Sequence, residues 1–301
     1  MLNNRNTSSV SKRKWLARAV SVAAGCVLSV SPLMAFSKSD DSLHDRLPQA
    51  LKDRGYITAV GDSYPPYRIV GGSGRISEGV ETDLLKALEP MLGVEIRQAL
   101  VAQLSSLLAG LSTGRYDLST GPLRTTAERE SRYDLIVWKN VELGFLYLND
   151  GNPRMNTFQD LCGKTVAVAT GASTEHFVET MSKRCEERNE KPIRKVGLPN
   201  QNSIVLAVQS GRADAAALQS SAGYYVQKQN PGHFRMVTDT KEDLGVSELG
   251  FVLDKDSALT PVLLEALQQL WASGQYDEIM AKWGLENSRL PEPKLNPSSS
   301  K

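Results

Sequence analysis

LLAGLSTGRYDLST (residues 107–120) and VLAVQSGRADAAAL (residues 205–218) follow the same local pattern. In each stretch an apolar helical pattern ends at a glycine, Gly114 or Gly211, and an aspartate three positions later begins a strand pattern. Glycine ends helices because it adopts the left-handed conformation without steric cost. Since 97 positions separate the two glycines, the repetition predicts two lobes built alike. The alternative is coincidence, because such junctions are common.

The chain around these junctions alternates between strand and helix patterns, from about residue 51 to residue 285. Apolar residues recur with helical spacing in 80–92, 104–111, 263–271 and 276–283. Short apolar runs typical of strands lie at 56–60, 94–101, 164–169, 193–198 and 214–218. Alternation of this kind predicts an α/β fold with parallel layers.

The N-terminal 35 residues differ in chemistry from the rest. They contain five cations and no acid, and a stretch without charge then runs from Ala19 to Phe36. A basic segment, a short apolar segment and small residues such as Ala35 are typical of a signal peptide. We therefore predict a signal peptide over residues 1–35 and a periplasmic mature protein. An uncleaved anchor, or a lipoprotein acylated at Cys26, is the alternative.

At the other end, residues 286–301 (ENSRLPEPKLNPSSSK) contain three prolines and three consecutive serines, with few apolar side chains. A segment of this composition buries too little apolar surface to offset the entropy lost on ordering. The composition therefore predicts a disordered tail.

Composition and motifs exclude several classes of function. With 35 Lys+Arg against 34 Asp+Glu, the chain lacks the cationic excess that a nucleic-acid-binding domain needs. The three histidines have no Cys, Asp or Glu at metal-ligand spacing. The run Gly163-Lys164-Thr165 lacks the earlier glycine and the following helix of a phosphate-binding loop. The sequence therefore predicts no nucleic acid, no metal and no cofactor.

Five motifs carry a resemblance to a known family: GVETD (79–83), STGRYD (112–117), GPLRTTAER (121–129), DLCGKTVAVATG (160–171) and GRAD (211–214). In this order and spacing they resemble the bacterial extracellular solute-binding proteins of family 3, which serve amino-acid ABC importers. The resemblance implies a two-lobed periplasmic-binding-protein fold of type II (Venus flytrap), with a two-strand hinge near 141–149 and 237–251. Lobe 1 is expected at 49–143 plus 243–285, and lobe 2 at 144–242.

Three candidate ligand-binding residues lie in lobe 1 of the implied fold. Arg129 follows the strand after the STGRYD motif, at the carboxyl end where open α/β sheets bind ligands. A guanidinium matches a carboxylate with two parallel hydrogen bonds, and the resemblance implies that Arg129 binds the ligand's α-carboxylate. Tyr64 matches an aromatic residue that stacks over the ligand, and Gly121 begins the motif of Arg129. The alternatives are a surface Arg129 paired with Glu130 or Asp134, and a core Tyr64.

In lobe 2, the segment TGAST (170–174) joins a strand to a helix. Such a junction binds anions through unpaired backbone N–H groups and the positive end of the helix dipole. Ser173 and Thr174 match the family's second-lobe ligand loop, and their hydroxyls are candidate ligand contacts. The alternative is plain N-capping by Ser173, which needs no ligand.

Two residues depart from the family pattern. Gln219 stands where relatives have an aspartate for the ligand's ammonium group, and Arg124 stands where a small hydroxyl residue is usual. Both replacements make the inferred cleft more cationic, so we expect an acidic amino acid, an N-substituted amino acid or a dicarboxylate as ligand. The alternative is an outward-facing Arg124, with Asp62, Glu81 or Glu248 in the role of the missing aspartate.

The cysteine count fits an exported protein. Once Cys26 is removed with the signal peptide, Cys162 and Cys185 remain, an even number in an oxidising compartment. They flank one strand–helix unit, and some relatives pair cysteines in this way. We therefore predict a Cys162–Cys185 disulfide; the alternative is two unrelated buried thiols.

The predicted function is capture of an amino acid or related small organic acid for a membrane ABC permease, by a monomer without catalytic activity. An enzyme on the same fold, similar to cyclohexadienyl or arogenate dehydratases, is the alternative. It needs a general acid or base with a tuned pKa, for which Glu81, Glu128 and Glu175 are the candidates. A third interpretation, a sensor module, predicts a following membrane segment and signalling domain.

Overall fold

The computed structural model describes residues 42–120, 123–150, 155–238 and 247–298. The predicted signal peptide and the candidate residue Gly121 lie outside the described residues. The strands are β1 Tyr56–Gly61, β2 Ile69–Val70, β3 Ile76–Glu78, β4 Glu95–Leu100, β5 Leu118–Ser119, β6 Tyr133–Val141, β7 Leu143–Leu148, β8 Thr165–Ala169, β9 Arg194–Leu198, β10 Ala215–Gln219, β11 Phe234–Val237, β12 Ser247–Asp254 and β13 Arg289–Leu295.

The α-helices are α1 Gln49–Arg54, α2 Val80–Leu92, α3 Leu104–Ser112, α4 Ala127–Glu130, α5 Ser173–Glu187, α6 Gln201–Gln209, α7 Ser220–Gln229, α8 Thr260–Ala272 and α9 Gln275–Lys282. Single 3-10 turns lie at Phe158–Leu161 and Glu286–Ser288. Within the described parts of the chain, no helix is both long and apolar enough to cross a membrane.

The strands form two main sheets, of order β13-β6-β12-β5-β1-β4 and β11-β7-β10-β8-β9, and β2 pairs with β3 in a separate hairpin. β1 is parallel to β4 and β5, and β8 is parallel to β9 and β10. β6 and β7 pair only with antiparallel neighbours. The α/β class is as predicted, but each sheet is mixed, because β6 in the first sheet and β7 in the second are antiparallel to their neighbours.

Each sheet has its own apolar core, and we call the first sheet with its helices lobe 1 and the second lobe 2. In lobe 1, α2 and α8 pack on the sheet and bury the leucine faces that the helical spacing predicts. In lobe 2, alternate residues of β10 face two separate cores. Successive side chains of a strand point to opposite faces of the sheet. The two cores therefore lie on opposite faces of the second sheet, and helices cover both.

The chain passes between the two sheets twice. It passes first through Glu142, between β6 and β7, and again between the end of β11 at Val237 and the start of β12 at Ser247. Both passages fall in the segments where the crossings are predicted from the sequence. The hinge movement and the residue limits of the lobes stay predictions.

The repeated sequence pattern forms the same junction in both lobes. α3 ends just before Gly114 and α6 just before Gly211, and both glycines adopt φ +70°. This left-handed conformation ends each helix at low cost only for glycine. β5 comes after the first junction and β10 after the second.

An aspartate in each junction fixes the register of the parallel strands. The carboxylate of Asp117 accepts a hydrogen bond from the backbone N–H of Thr58 in β1 at 2.7 Å, and that of Asp214 accepts one from Thr165 in β8 at 2.7 Å. The backbone N–H of each aspartate donates to the carbonyl of the same threonine, at 3.0 and 2.8 Å. We call this reciprocal pair the aspartate clamp. It ties β5 to β1 and β10 to β8.

The prediction of a disordered tail is wrong for residues 286–298. Arg289–Leu295 forms β13, which pairs with β6 at the edge of the first sheet. The indole N–H of Trp271 donates to the carbonyl of Leu290 at 3.0 Å, and the hydroxyl of Tyr276 accepts from the N–H of Leu290 at 3.2 Å. Prolines are tolerated on an edge strand, because only one side of it needs donors. A compositional argument cannot detect this pairing with distant residues.

The predicted disulfide is present. Cys162 and Cys185 are joined, with their Cα atoms 5.6 Å apart. The bond links the end of the 3-10 turn before β8 to the last turn of α5, and Cys185 is fully buried in the lobe 2 core. The alternative of two separate thiols is therefore wrong.

Replacement of Leu290 by alanine should lower the free energy of unfolding by about 2–5 kcal/mol, because truncation of a buried leucine leaves a cavity. Glu292→Ala changes an exposed position of the same strand and should shift that free energy by less than about 0.5 kcal/mol. Urea denaturation followed by circular dichroism measures both variants. Equal small effects would contradict an ordered β13.

Removal of the disulfide, by Cys162→Ala together with Cys185→Ala, should lower the free energy of unfolding by about 3 kcal/mol, because the cross-link restricts the unfolded chain. Urea denaturation of oxidised wild type and variant gives the difference. Intact-mass measurement after alkylation without reductant is the control. Two alkylated thiols in periplasmic wild-type protein would refute the bond.

Candidate functional site

A cavity of about 560 Å³ lies between lobe 1 and lobe 2. Its lobe 2 wall lies at the carboxyl ends of the parallel strands β8 and β9, the edge at which open α/β sheets bind ligands. The described residues that line it are mostly small or apolar, and Arg129 is the charged one among them. They are Gln103, Leu104, Ser105, Leu108, Leu123, Arg129, Thr170, Gly171, Gly197, Leu198 and Pro199.

Arg129 lies in the short helix α4 and reaches across the cavity. Its Nη1 donates to the carbonyl of Arg124 at 2.9 Å, and its Nη2 donates to the carbonyl of Gly171 in lobe 2 at 3.3 Å. Burial lowers the pKa of Arg129, and the positive charge of Arg124 lowers it further. Asp134, the alternative partner considered from the sequence, pairs with Lys255 instead. Arg129 makes no ion pair with any described carboxylate.

Arg124 lies beside Arg129, as the motif places it. It forms an isolated bridge with Leu249 of β12 and is half-buried. No carboxylate of the described residues pairs with it. Arg124 and Arg129 are therefore two neighbouring guanidinium groups without a carboxylate partner in the described chain, and Arg129 is the one of the two that lines the cavity.

The TGAST segment provides the facing wall in lobe 2. Gly171 adopts φ +79°, and its N–H donates to the carboxylate of Glu175 at 2.7 Å. α5 begins at Ser173 after Ala172, whose side chain cannot cap. N-capping by Ser173 is therefore wrong. The hydroxyls of Ser173 and Thr174 are buried and have no hydrogen-bond partner among the described residues.

Tyr64 and Gln219 meet across the two lobes, outside the cavity. The Tyr64 ring is buried and stacks on Tyr67 with the ring centres 5.9 Å apart. Its hydroxyl forms a hydrogen bond with the backbone of Gln219, and burial raises the pKa of Tyr64. Gln219 is buried as well, and its side-chain carbonyl has no partner in the described chain. Of the predicted site residues that the structure describes, Arg129 alone lines the cavity.

Sequence reasoning missed the other residues that join the lobes. The Tyr67 hydroxyl is hydrogen-bonded to Ser221 at 2.5 Å, and the Gln201 amide donates to the carbonyl of Pro65 at 3.4 Å. Ser221 lies just beyond the carboxyl end of β10, and Gln201 just beyond that of β9. The signal available in the sequence was that Ser221 and Gln201 are polar residues that follow closely after the end of a predicted strand.

A buried cluster of charges lies in lobe 1 behind Tyr64. The Arg68 guanidinium is bound by the carboxylates of Asp62 and Glu81. The Lys139 ammonium lies 3.6 Å from Glu81 and 3.0 Å from the centre of the Tyr67 ring. Arg68, Glu81 and Lys139 are each at most 3% exposed.

The charges of this cluster are set by burial and by one another. Burial alone would lower the pKa of Arg68, but Glu81 and Asp62 outweigh it and the pKa is raised. Burial lowers the pKa of Lys139 to about 7, against the opposing attraction of Glu81. The sequence gives a weak signal for this cluster, since a single lysine within the apolar run of β6 does not belong to any repeating pattern of charged residues.

None of the three candidate acids is placed for acid–base catalysis. Glu175 binds Lys195 and the N–H of Gly171, which lower its pKa, so it is ionised and cannot donate a proton at neutral pH. Glu81 is held by Arg68 and Lys139. Glu128 is exposed and pairs with Arg132 at 3.4 Å.

Curated relatives are binding proteins. The arginine-binding protein ArgT of Corynebacterium glutamicum is 29% identical over 253 residues, covering 83% of this chain and 81% of that protein. The arginine-binding extracellular protein ArtP of Bacillus subtilis is 25% identical over 234 residues, covering 75% of this chain and 85% of that protein.

Solved structures share the fold. A mutant of the arginine-binding protein ArgBP of T. maritima is 25% identical, with a TM-score of 0.66, and covers 78% of this chain and 98% of that chain. The ancestral amino acid-binding protein AncCDT-1, a precursor of cyclohexadienyl dehydratase, is 23% identical, with a TM-score of 0.64, over 78% of this chain and 97% of that one. The two-lobed type II fold is thereby confirmed.

A family model decides the assignment. The model of the bacterial extracellular solute-binding proteins of family 3 matches residues 56–286, which include both sheets up to the start of β13. The relatives are named as binding proteins, one of them as the binding protein of an ABC transporter. The chain therefore belongs to the bacterial extracellular solute-binding proteins of family 3.

Proposed function

We propose that this solute-binding protein captures a carboxylate ligand between its lobes, that Arg129 binds the carboxylate, and that the ligand carries a second negative charge or lacks a free ammonium group. Acidic amino acids, N-substituted amino acids and dicarboxylates belong to this class. The protein delivers the ligand to an ABC importer, a role supported by relatives such as the probable ABC transporter arginine-binding protein ArtJ of Chlamydia trachomatis.

The observation that carries the proposal is the position of Arg129 in the cavity. Its guanidinium has five donors, of which two are used by the carbonyls of Arg124 and Gly171. A guanidinium in a partly desolvated cleft gains most from a bidentate carboxylate. Arg124 adds a second positive charge close by, which favours a ligand of higher negative charge.

The candidate acids Asp62, Glu81, Glu175 and Glu248 support the same class of ligand, because each is already paired. Asp62 and Glu81 bind Arg68, Glu175 binds Lys195, and Glu248 binds Lys294 at 3.0 Å. A ligand ammonium in a closed cleft would therefore meet a neutral partner such as Gln219. Desolvation of an ammonium without a counter-charge costs several kcal/mol.

Arginine is the second candidate ligand, because the names of two curated relatives favour it. Its guanidinium would need a carboxylate or several carbonyl groups in the cleft. The described lining residues of the cavity include no acid. This charge balance is the reason for preferring an anionic ligand.

Four further predictions belong to the proposal. A signal peptide over residues 1–35 exports the chain to the periplasm, where it acts as a monomer. Lobe 1, expected at 49–143 plus 243–285 and extended here by β13, and lobe 2, at 144–242, close on the ligand around the two passages between the sheets. Ser173, Thr174, Tyr64, Arg124 and Gln219 complete the site with Gly121, and the unpaired buried oxygens of three of them support this. Buried polar atoms without partners are rare in native proteins.

Calorimetric titration of the purified mature protein should show binding of glutamate, N-acetylglutamate or succinate, and no binding of arginine or leucine at the same concentrations. We expect this selectivity because the positive charges of Arg124 and Arg129 have no carboxylate partner in the described chain. A thermal-shift panel gives an independent readout, because a ligand that binds the folded state raises the melting temperature. Tight binding of arginine or leucine, with no response to the anionic compounds, would reject the proposed ligand class.

Arg129→Ala should weaken binding of the identified ligand by about 2–5 kcal/mol, because the buried carboxylate loses its charged partner. Arg132→Ala is the matched control: Arg132 lies three residues away, is exposed and pairs only with Glu128 among the described residues. Its loss should change affinity by less than about threefold, or under 1 kcal/mol. If Arg129→Ala folds normally by circular dichroism and binds as well as the control, Arg129 is not in the site.

A further inference from the structure

The buried Arg68 side chain is bound on every side by groups that recognise guanidinium. Its Nη2 donates to the carboxylate of Asp62 at 2.5 Å, and its Nε donates to the carbonyl of Asp62 at 2.8 Å. Its Nη1 donates to the carboxylate of Glu81 and to the carbonyl of Thr120. The Tyr64 ring centre lies 5.9 Å from the guanidinium carbon.

The space that Arg68 occupies is kept open by a glycine. A Cβ atom at Gly61, the last residue of β1, would lie 2.5 Å from the Cδ atom and 2.6 Å from the Nε atom of Arg68. Real Cβ atoms do not approach other heavy atoms so closely, so a side chain at position 61 and the Arg68 stem exclude each other. Thr120 Oγ1 would also lie 2.5 Å from that Cβ atom, so the strand end leaves room for both the Arg68 stem and the Thr120 side chain.

The Arg68 site lies next to the interface between the lobes. Tyr64 lies at that interface, because it contacts the Arg68 guanidinium on one side and the backbone of Gln219 in lobe 2 on the other. Thr120, whose carbonyl binds Arg68, immediately precedes the segment that leads to Arg124 and Arg129. Two carboxylates, two carbonyls and an aromatic ring are also what a free arginine side chain would need.

We propose that Arg68 is a specificity-determining residue: it occupies, from within the chain, a guanidinium-binding subsite of lobe 1 and so denies the cleft the two carboxylates that a cationic ligand would require. This inference rests on the proposed ligand-binding role of the cleft. It explains how a chain similar to arginine-binding proteins excludes cations although Asp62 and Glu81 are present in lobe 1. Lys139, on the far side of Glu81, lies 3.6 Å from the second oxygen of that carboxylate.

Chemical rescue of Arg68→Ala tests the subsite. Loss of Arg68 leaves Asp62 and Glu81 with Lys139 as the remaining described cation, so the melting temperature should fall. Ethylguanidinium chloride at millimolar concentration should raise the melting temperature of this variant more than it raises that of wild type. Ethylammonium chloride carries the same charge but lacks the planar guanidinium group, so it should not raise the melting temperature of the variant more than that of wild type. Arg97→Ala is the matched control, since Arg97 is exposed and pairs with Glu95 at 2.8 Å.

Calorimetric titration then tests specificity. Arg68→Ala should bind arginine at least tenfold more tightly than wild type and Arg97→Ala do. If the variant does not fold alone, refolding from urea with ethylguanidinium should recover it. Failure of ethylguanidinium to stabilise or recover Arg68→Ala beyond the control overturns the subsite. An unchanged arginine affinity in a folded variant overturns the role in specificity.

These outcomes are separate from a failure of the proposed function. If wild type binds arginine and no anionic compound, the proposed ligand class is rejected by the wild-type titration alone. Rescue of Arg68→Ala by ethylguanidinium, measured as a melting temperature, still reports whether Arg68 fills a guanidinium site.

Discussion

A carboxylate can lie between two strands of a folded protein only where a donor meets it. The aspartate clamp meets this condition in both lobes, with Asp117 on Thr58 and Asp214 on Thr165. Because each clamp also returns a backbone hydrogen bond, it fixes the register of a parallel pair at its amino end. The register in turn decides where the strands end, and the loops beyond those ends form the cleft.

The charges near the cleft follow a consistent arrangement. Acidic residues are held by cations of the protein itself, while Arg124 and Arg129 have no carboxylate partner in the described chain. A buried ion pair adds little net stability compared with apolar packing, although breaking one is costly. The cluster of Arg68, Glu81 and Lys139 is therefore better understood as a determinant of local charge than as a source of stability.

The elements that could be predicted from sequence are those with a local physical signal. Gly114 and Gly211 end helices through a conformation that glycine favours, and the leucine spacing of α2 and α8 marks their buried faces. The position of Arg129 in the wall of the cavity needed the family motif as well. The tail was misjudged because the order of β13 comes from Trp271 and Tyr276, which no window of composition includes. The Arg68 cluster was missed because Thr120 and Lys139 are distant from Arg68 in sequence, and because nothing local marks Asp62 and Glu81 as its partners.

The pairing order of the first sheet has a consequence for the sequence of folding events. β6 lies between β12 and β13, the last two strands of the described chain, whereas all strands of the second sheet come from one continuous stretch, 143–237. Lobe 2 can complete its sheet as soon as that stretch has emerged, but lobe 1 cannot do so until β13 is available. Contacts of such long sequence separation form slowly, because the connecting chain must first be closed into a loop. During synthesis, lobe 1 therefore stays incompletely folded until its last strand has emerged, whereas lobe 2 is able to complete its core earlier.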